Sequence, residues 1–599
     1  MKSILLITGA ADRHRYFAKK LYDEFQTDLI SIISQKLHNT TFVSKSEKIK
    51  KLFSLFFKNP FKTIKKIIFY IFNSFYSYKE NIFQNSNVLF PDVPVNETND
   101  INSNKMIQLI KSIKPDIIIV FGGKIICKEI INIPKIILNS HYGIVPFYKG
   151  IGSSITAIGR KDFRHIGSSI HEINERLDSG DILRYAQPSL LGNETAEKII
   201  KKVINAGLDA YIEVIKHIRS GRNIRKFKQP DYGKIYYSKN PEGNFYADKA
   251  RIELRSNNLL KYYQKVGLIK ENINNKFSYK ITNKINKLNN RFFNKKIRNG
   301  VYVVLYHHIE SSLDNIVDWK SFFGNKVLSK ITTDSSILAE HIEYYKKNFT
   351  VISLSKAVDV LKKYDGKIPD RYLVITFDDG YKSVLKNTFN ILKKIPFTLF
   401  VNGNPILKKI GLDRLRIGYF LQNNYSKFID NYHKVFGNEN IFDDFKNNFT
   451  IQKASFVRAY WENLVPEKDK LKEMDFYLSI DDIKNNETFK NGFLELGNHT
   501  YSHCMLSKVN LLQKESEIIK CHLELEKAFE KKINFFSYPF GGYKSFDLVS
   551  ELLVMQLPWV NAVSAYGYFN EYYYPTNLQR IGFTNQSTIF VKSTFASYQ

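Results

Sequence analysis

The stretch "DIIIVFGGKIICKEIINIPKIILNSHYG" at residues 116–143 holds two apolar runs that end in residues suited to a turn or a chemical site. The first run ends at paired glycines, and the second ends at Asn139-Ser140-His141. With "SILLITG" at 3–9, these runs are typical of buried parallel strands. Parallel sheets carry functional groups at the carboxyl ends of their strands, which is where Asn139 and His141 fall. The sequence up to about residue 235 therefore predicts an α/β domain with a parallel sheet.

The chain of 599 residues is too long for a single hydrophobic core, so we expect two or more domains. A hydrophobic content of 43% indicates a globular protein. Cys127, Cys504 and Cys521 are too few for a disulfide framework, which suits a reducing compartment. The opening "MKSILLITGAADRHRYF" predicts a first strand and a turn rather than a signal peptide. We therefore expect a cytoplasmic protein.

The net charge of +31 favours acidic partners such as phosphates, nucleic acid or anionic lipid. The bases are spread along the chain, so a general compositional drift explains the charge equally well. Residues 50–83 combine aromatic and basic residues, but their longest uncharged run, Ile67 to Tyr78, is 12 residues. A bilayer span needs about 20. A packed insertion is the favoured interpretation of this segment, and an interfacial membrane helix is the alternative.

The second half of the chain has a different organisation. Residues 256–297 are rich in Asn and Lys and predict a linker between a domain at 1–255 and another at 298–599. From 298 onward, strand-like runs such as "GVYVVLYHHI" and "RYLVITFDDG" end in polar residues and alternate with helix-like stretches. This pattern suggests a β/α barrel with chemistry at its strand ends. Residues from about 405 to 485 are more polar and irregular, which indicates an insertion.

The first candidate site combines Asn139, His141 and Asp178, the last in a turn after "GSSIHEI". An amide beside an imidazole can stabilise an oxyanion and handle a proton, and a carboxylate can orient that imidazole. Acyl transfer to an amine needs these groups. On three residues alone, a loop-capping Asn139 and an ordinary surface His141 would be the favoured interpretation.

A longer stretch of sequence around these residues favours the catalytic interpretation over an ordinary loop. "ILNSHYGIVPFYKGIGSSITAI" and "GSSIHEINERLDSGDIL" resemble the formyltransferase family, which includes methionyl-tRNA, glycinamide ribonucleotide and sugar N-formyltransferases. The matching positions are Asn139, His141, Gly143, Pro146, Tyr148, Gly150, Leu177, Asp178 and Gly180. The resemblance implies a Rossmann-like domain that transfers formyl from 10-formyltetrahydrofolate to a primary amine. It implies that Asn139 and His141 hold the oxyanion, that Asp178 supports His141, and that a loop with Gly123, Lys124 and Ile125 faces the folate.

The tRNA-formylating members carry a separate β-barrel after this core. Here "DYGKIYYSKNPEGNFYADKARIEL" at 231–254 predicts only a small β-rich appendage, which speaks against a nucleic-acid partner. The aromatic segment at 50–83 is also unlike those members. We therefore expect a small-molecule amine as the acceptor.

The second candidate site starts from Asp378 and Asp379, adjacent carboxylates that follow the strand-like "YLVIT". Downstream, His499 and His503 would share one face if their segment were helical, as two metal ligands must. An Asp with two His leaves room for water, which is a catalytic arrangement. An ordinary turn and a chance histidine pair are the plain alternatives.

Three motifs in order, "TFDDG" (376–380), "HTYSH" (499–503) and "SYPFGGY" (537–543), resemble the polysaccharide deacetylase family, or NodB-homology fold. The resemblance implies a distorted (β/α) barrel in which Asp379, His499 and His503 hold a divalent metal, often zinc. It implies that Asp378 is the general base for the water that removes an N-acetyl group. The long gap between Asp379 and His499 implies a remodelled substrate cleft.

Two departures from that family stand out. Many members carry Arg before the proline of the third motif, where this chain has Ser537 and Tyr538. Many also supply a late histidine as general acid, but no histidine follows His522. His307, His308 or a water would have to take that role.

The two resemblances together predict a bifunctional enzyme of bacterial glycan biosynthesis. It would remove acetyl from an amino sugar and then formylate the freed amine. We expect a nucleotide-linked sugar as substrate, since a diphosphate also suits a basic surface. The alternatives are a lipid-linked sugar at a membrane surface, two independent activities on different sugars, and a glycan-binding protein with one degenerate site. Sugar formyltransferases are often dimers, so a homodimer is a further expectation.

Overall fold

The computed structural model describes residues 3–36, 89–230, 232–236, 241–266, 268, 297–311, 318–437, 440–565, 567 and 569–596. The aromatic segment at 50–83 and most of the predicted linker lie outside the described residues. The chain forms two compact units, Met1–Tyr263 and Gln264–Gln599.

The first unit is built on a seven-stranded sheet in the order β3-β2-β1-β4-β5-β7-β8. Strands β1 to β5 pair in parallel, whereas β7 and β8 join antiparallel to their neighbours. The strands are β1 Ile4–Gly9, β2 Leu29–Gln35, β3 Val95–Thr98, β4 Ile117–Phe121, β5 Ile136–His141, β6 Tyr148–Gly150, β7 Ser168–Glu172, β8 Ile182–Ala186 and β9 Lys234–Tyr236. The predicted parallel α/β fold is confirmed.

Helices cover both faces of this sheet, because alternate residues of each buried strand point to opposite sides. Ile4 and Leu6 of β1 pack in one apolar cluster, while Leu5 and Ile7 pack in the other. The helices are α1 Asp12–Phe25, α2 Asn104–Ile113, α3 Lys128–Ile131, α4 Ser153–Gly159, α5 Ala196–Arg219, α6 Pro241–Arg255 and α7 Asn258–Lys265.

The predicted β-rich appendage at 231–254 is wrong for most of its length. Only Lys234–Tyr236 is a strand, and α6 follows it. Tyr246 and Ala250, four residues apart on one helical face, are both buried, and the backbone of Tyr246 lies against Gly159. This packing outweighs the β-favouring aromatic residues of the segment. Helix α7 extends the first unit beyond the predicted boundary at 255, since its Tyr262 packs on Phe163 at 5.2 Å between ring centroids.

The second unit is built on a nearly closed parallel sheet, which confirms the β/α barrel predicted from the sequence. Its strand order is β19-β18-β17-β16-β15-β14-β10-β20, with β13 also paired to β14. Strands β19 and β20 are separated by Arg580 alone, so the two edges of the sheet meet at that residue. The strands are β10 Gly300–Tyr306, β11 His308–Glu310, β12 Thr332–Asp334, β13 Thr350–Val351, β14 Arg371–Phe377, β15 Phe397–Val401, β16 Leu494–Asn498, β17 Phe535–Ser537, β18 Asn561–Ser564, β19 Leu578–Gln579 and β20 Ile581–Gly582.

The segment between β15 and β16 is the predicted insertion, but it is a compact group of helices rather than irregular chain. Its polar residues are used internally: Arg416 and Glu473 form a buried ion pair, and Phe420 packs against Trp461 and Phe428. Those buried charges gave the sequence its irregular appearance. The helices here are α13 Gly403–Lys408, α14 Asp413–Gln422, α15 Ser426–Phe436, α16 Ile441–Asn447, α17 Ile451–Leu464, α18 Glu467–Met474, α19 Ile480–Lys484 and α20 Glu487–Lys490.

The remaining helices of this unit surround the sheet. Before the insertion lie α8 Trp319–Phe323, α9 Asn325–Leu328, α10 Ser335–Asn348, α11 Leu354–Tyr364 and α12 Lys382–Leu392. After the insertion lie α21 Leu511–Glu515, α22 Cys521–Phe529, α23 Leu548–Met555 and α24 Thr588–Ala596, with a π-helical turn at Ser516–Lys520 between α21 and α22. Among the described residues, we find no helix with the length and apolarity that a membrane span requires.

Candidate active sites

The structure brings Asn139, His141 and Asp178 together at the end of β5. Asn139 Nδ2 donates to Asp178 Oδ1 at 3.2 Å, and His141 Nδ1 lies 3.5 Å from Asp178 Oδ2. The backbone N–H of Gly150 also donates to Asp178 Oδ2, at 2.8 Å. Asp178 has a left-handed backbone with φ of 46°, which turns its carboxylate back toward the strand. The three residues therefore form one connected cluster.

The imidazole of His141 has hydrogen-bond partners for its protonated form, but burial favours its neutral form. Its Nε2 lies 3.0 Å from the carbonyl of Tyr148 and 3.1 Å from the hydroxyl of Ser153. A carbonyl and the Asp178 carboxylate can only accept, so together they favour protons on both ring nitrogens. Burial acts the other way and lowers the pKa of His141, although Asp178 opposes that shift. The resting imidazole is therefore neutral at neutral pH, yet its protonated form finds partners in place.

The carboxylate of Asp178 is charged in this cluster. Burial raises its pKa, but His141, His171 and the Gly150 amide more than offset that effect and hold the pKa below its usual value. A permanent negative charge beside the imidazole stabilises any proton that His141 takes up.

His171 is a member of the cluster that the sequence analysis did not assign. It lies opposite Asn139 on the antiparallel partner strand β7, and the two side chains are joined by a contact of 3.2 Å between Asn139 Nδ2 and His171 Nε2. Its Nδ1 lies 2.7 Å from the carbonyl of Glu172, which places a proton there, and its Nε2 also lies 3.6 Å from Asp178 Oδ1. His171 thus fixes the orientation of the Asn139 amide.

The loop after β4 contains Gly123, Lys124 and Ile125, the residues expected to face the folate. Gly123 has φ of 120°, a conformation that glycine alone adopts easily. Lys124 donates its backbone N–H to Gln35 Oε1 at 3.1 Å, and Ile125 is exposed. All three lie at the carboxyl edge of the sheet, the same edge as Asn139. Their role toward a folate stays a prediction.

In the second unit, Asp379, His499 and His503 converge in the manner of a metal site. The ligand atoms of the three residues all lie within 4.8 Å of one another, and all three are buried. Asp379 Oδ1 is 3.5 Å from His499 Nε2 and 3.4 Å from His503 Nε2. That oxygen is buried without a hydrogen-bond partner among the described residues. One carboxylate oxygen and two imidazole nitrogens are a suitable donor set for a divalent cation. Such a cation would also give the buried oxygen the partner that it lacks among the described residues.

Neighbouring groups define how these ligands are presented. His499 Nδ1 lies 2.8 Å from the carbonyl of Ser537, which leaves Nε2 free for a cation. Burial lowers the pKa of His503 to about 3, against the opposing effect of Asp379, so this imidazole is neutral. The other oxygen of Asp379 accepts from Tyr381 Oη at 2.8 Å and from Arg414 Nη2 at 3.4 Å.

The helical arrangement considered for His499 and His503 is wrong. Residues 499–503 form a loop after β16, in which Thr500 and His503 have φ of 66° and 56°. The backbone N–H of His503 donates to Thr500 Oγ1 at 3.1 Å. Glu517, in the π-helical turn, accepts from the backbone N–H and the hydroxyl of Ser502 at 3.0 and 2.6 Å. A tight turn, rather than helical periodicity, brings the two imidazoles together.

Asp378 lies beside the metal ligands but has a different partner. Arg580 forms a bidentate ion pair with it, with 2.7 Å for both Nη1 to Oδ1 and Nη2 to Oδ2. The side chains of Arg580 and Asp378 are 1% and 4% exposed. Arg580 also donates to Ser537 Oγ at 2.8 Å. An arginine therefore contacts Asp378 from the point where the two sheet edges meet, although none stands directly before Pro539 in the sequence.

The structure separates the two histidines considered as general acid. His308 is buried, stacks on Phe476 at 5.0 Å and lies 3.3 Å from Thr332 Oγ1 through Nδ1. His307 is partly exposed, and burial lowers its pKa against the opposing charges of Asp379 and Asp378. His307 therefore lies within the electrostatic reach of the site, whereas His308 packs in an aromatic cluster.

The comparisons with known families agree with this division. Residues 1–215 match the family model described as formyl transferase, and residues 470–549 match the one described as polysaccharide deacetylase. The chain carries a formyl transferase domain and a polysaccharide deacetylase domain.

Individual relatives cover only parts of the chain. Methionyl-tRNA formyltransferase of Thermotoga maritima is 27% identical over 149 residues, which is 24% of this chain and 47% of that protein. The Clostridioides difficile enzyme is 29% identical over 24% of this chain and 48% of its own length. The chain thus spans about half the length of the curated relatives it matches.

Two solved structures are each similar to part of this chain. A Streptococcus pyogenes deacetylase in complex with acetate covers 49% of this chain and 98% of its own, with 13% identity and a TM-score of 0.31. A sugar N-formyltransferase from a Shewanella species covers 42% of this chain and 88% of its own, with 14% identity and a TM-score of 0.27.

Both domains contain site residues that sequence reasoning missed. His171 in the formyl transferase domain stands on a strand whose antiparallel pairing with β5 gives no motif signal. Arg580 and Arg414 in the deacetylase domain lie outside the three motifs. Arg580 stands between two short strands, whereas Arg414 lies on a helix of the insertion, where no sequence signal marks it.

Proposed function

We propose that this chain is a bifunctional enzyme that removes an N-acetyl group from an amino sugar and N-formylates the resulting amine with 10-formyltetrahydrofolate. The observation that carries this proposal is the coexistence of two assembled clusters in one chain, Asn139–His141–Asp178 and Asp379–His499–His503 with Asp378. One chemistry makes a primary amine and the other consumes one. A nucleotide-linked sugar in the cytoplasm is the substrate we favour.

Deacetylation is assigned to the second domain. Asp379, His499 and His503 would hold a divalent metal, for which zinc suits the nitrogen and oxygen donors. When bound, such an ion supplies Lewis acidity toward water and the acyl carbonyl. Asp378 takes a proton from the attacking water, and Arg580 fixes both oxygens of that carboxylate. The departing amine nitrogen receives the proton that Asp378 took from the water, with His307 as the candidate relay between them.

Formyl transfer is assigned to the first domain. The amine nitrogen attacks the formyl carbon, a C–N bond forms, and the C–N bond to the folate breaks. His141 takes the proton released by the amine and gives it to the departing folate nitrogen, and Asp178 stabilises the protonated ring in between. Asn139 Nδ2 donates to the oxyanion. In the resting structure the same amide nitrogen donates to Asp178 and contacts His171.

The test uses two separate assays on the full chain. Acetate release is measured from UDP- and dTDP-linked N-acetylamino sugars with added zinc, and formylation is measured on the corresponding amino sugars with 10-formyltetrahydrofolate. Asp378→Asn should abolish acetate release and spare formylation, whereas His141→Ala should do the reverse. The proposal is wrong if neither assay shows turnover, or if each variant lowers both activities equally.

A further inference from the structure

Helix α14 of the insertion places a cation beside the proposed metal site. Arg414 Nη2 lies 3.4 Å from Asp379 Oδ2, and the guanidinium also lies near the Tyr381 hydroxyl. Arg414 Nε is buried with no hydrogen-bond partner in the part of the chain that the structure describes. The Arg414 side chain is 15% exposed, whereas that of Asp379 is fully buried. Part of the Arg414 side chain is therefore open to solvent, whereas the Asp379 side chain is not.

The position of Arg414 is fixed by its neighbours on α14. Asp413 accepts from Arg458 of α17 in a bidentate pair, at 3.0 and 2.7 Å. Arg416 donates to Glu473 of α18, at 2.9 Å through both Nε and Nη2. These two ion pairs flank Arg414 and fix this part of helix α14. The backbone of Arg414 is therefore held close to the site.

With a divalent metal bound, the charges around Arg414 would not balance. Asp378 is matched by Arg580. The remaining charges are −1 on Asp379, +1 on Arg414 and +2 on a divalent ion, with both imidazoles neutral as metal ligands are. The sum is +2, and a negatively charged nucleophile reduces it to +1. A buried charge without a partner is costly, so the loaded site needs one more anion.

We propose that Arg414 binds an anionic oxygen group, a phosphate or a carboxylate, carried by the amino sugar close to its N-acetyl group. The inference rests on the deacetylase activity proposed above and adds the charge of the substrate to it. The two possible sources, a diphosphate linkage and a uronate carboxylate, present the same oxygen chemistry to a guanidinium. A neutral glycan would add no anion to offset the positive charge of the loaded site.

The test compares three substrates in the zinc-loaded full chain: UDP-N-acetylglucosamine, the methyl glycoside of N-acetylglucosaminuronic acid, and the neutral methyl glycoside of N-acetylglucosamine. The variants are Arg414→Gln, Arg414→Lys and, as a matched loss of charge on the exposed part of the insertion, Lys427→Gln. Binding of UDP, which cannot turn over, is measured by calorimetry as a second readout. Intrinsic fluorescence and thermal unfolding check that each variant folds.

We expect Arg414→Gln to raise the KM of an anionic substrate about 10-fold to 100-fold more than the KM of the neutral substrate, which is the size of a charge-assisted hydrogen bond. Arg414→Lys should recover part of the loss, and Lys427→Gln should change nothing. Sensitivity of the UDP-linked sugar alone, together with weaker UDP binding, identifies phosphate as the source. Sensitivity of the uronate alone identifies carboxylate.

Equal losses on neutral and anionic substrates would overturn the inference and make Arg414 a positioning residue for Asp379. Unchanged kinetics in Arg414→Gln would also overturn it. These results differ from failure of the proposed function, in which no substrate releases acetate from the wild-type chain. In that case, weaker UDP binding by Arg414→Gln would still support an anion site.

Discussion

The buried pair of Arg580 and Asp378 is the contact whose loss should be most costly in the deacetylase domain. Arg580→Gln removes a cation whose two contacts with the carboxylate are both 2.7 Å, in a place where neither side chain is more than 4% exposed. Removing one partner of such a pair costs about 3–5 kcal/mol, because the remaining charge stays buried. We expect the free energy of unfolding of this domain to fall by about that amount.

Tryptophan fluorescence makes this change measurable in the full chain. The 3 tryptophans, Trp319, Trp461 and Trp559, all lie in the second unit, so their signal in a urea titration reports that domain. Asp378→Asn in the Arg580→Gln background should restore part of the lost stability, since the unmatched charge is gone. As a control, Arg298→Gln breaks the more exposed pair with Glu571 and should cost less than about 1 kcal/mol.

The reasoning is refuted if Arg580→Gln costs no more than the Arg298→Gln control. It is equally refuted if the costs of Arg580→Gln and Asp378→Asn add within about 0.5 kcal/mol, because residues in direct contact should not behave as independent sites.

Four further predictions concern the two sites. Asn139→Ala should lower kcat of formyl transfer by about 10²–10³, the effect of losing one oxyanion donor, with acetate release unchanged. Because the pKa of His141 lies below its ordinary 6.5, kcat/KM for formyl transfer should be level at neutral pH and fall only as the pH drops through that lowered value; a decline that begins above pH 7 would contradict the assignment. A chelator should abolish acetate release and spare formylation, with recovery on addition of zinc, and loss of both activities would argue against a metal confined to the second domain. Glu517→Gln, which weakens the support of Ser502, should reduce zinc affinity about 10-fold to 100-fold in a competition titration, while Glu530→Gln on the surface should not.

The sequence was sufficient for the parts of the fold that depend on continuous local patterns. The apolar runs of β1, β4 and β5 predicted a buried parallel sheet, and the polar residues at their ends predicted the sheet edge at which Asn139 and His141 lie. Asn139, His141 and Asp379 were singled out because they lie in motifs that resemble known families, and the structure places each of them in a cluster of polar side chains. Short-range order carries this information.

What the sequence did not predict depends on pairing between distant segments. Arg580 reaches Asp378 only because the barrel closes and brings its first and last strands together, a separation of 202 residues between the two partners. His171 depends on antiparallel register, and Arg414 on the packing of an inserted helix. The loop at 499–503 was misjudged because its spacing fits a helix, whereas left-handed residues fold it into a turn.

The central claim is that one chain exchanges an acetyl group for a formyl group on the same nitrogen. The most direct measurement is mass spectrometry of a UDP-linked N-acetylamino sugar incubated with the full chain, zinc and 10-formyltetrahydrofolate. We expect a product lighter by one CH₂ group, no such product from Asp378→Asn, and accumulation of the free amine in His141→Ala. A wild-type chain that formylates a supplied amino sugar but never releases acetate from any acetylated one would contradict the account.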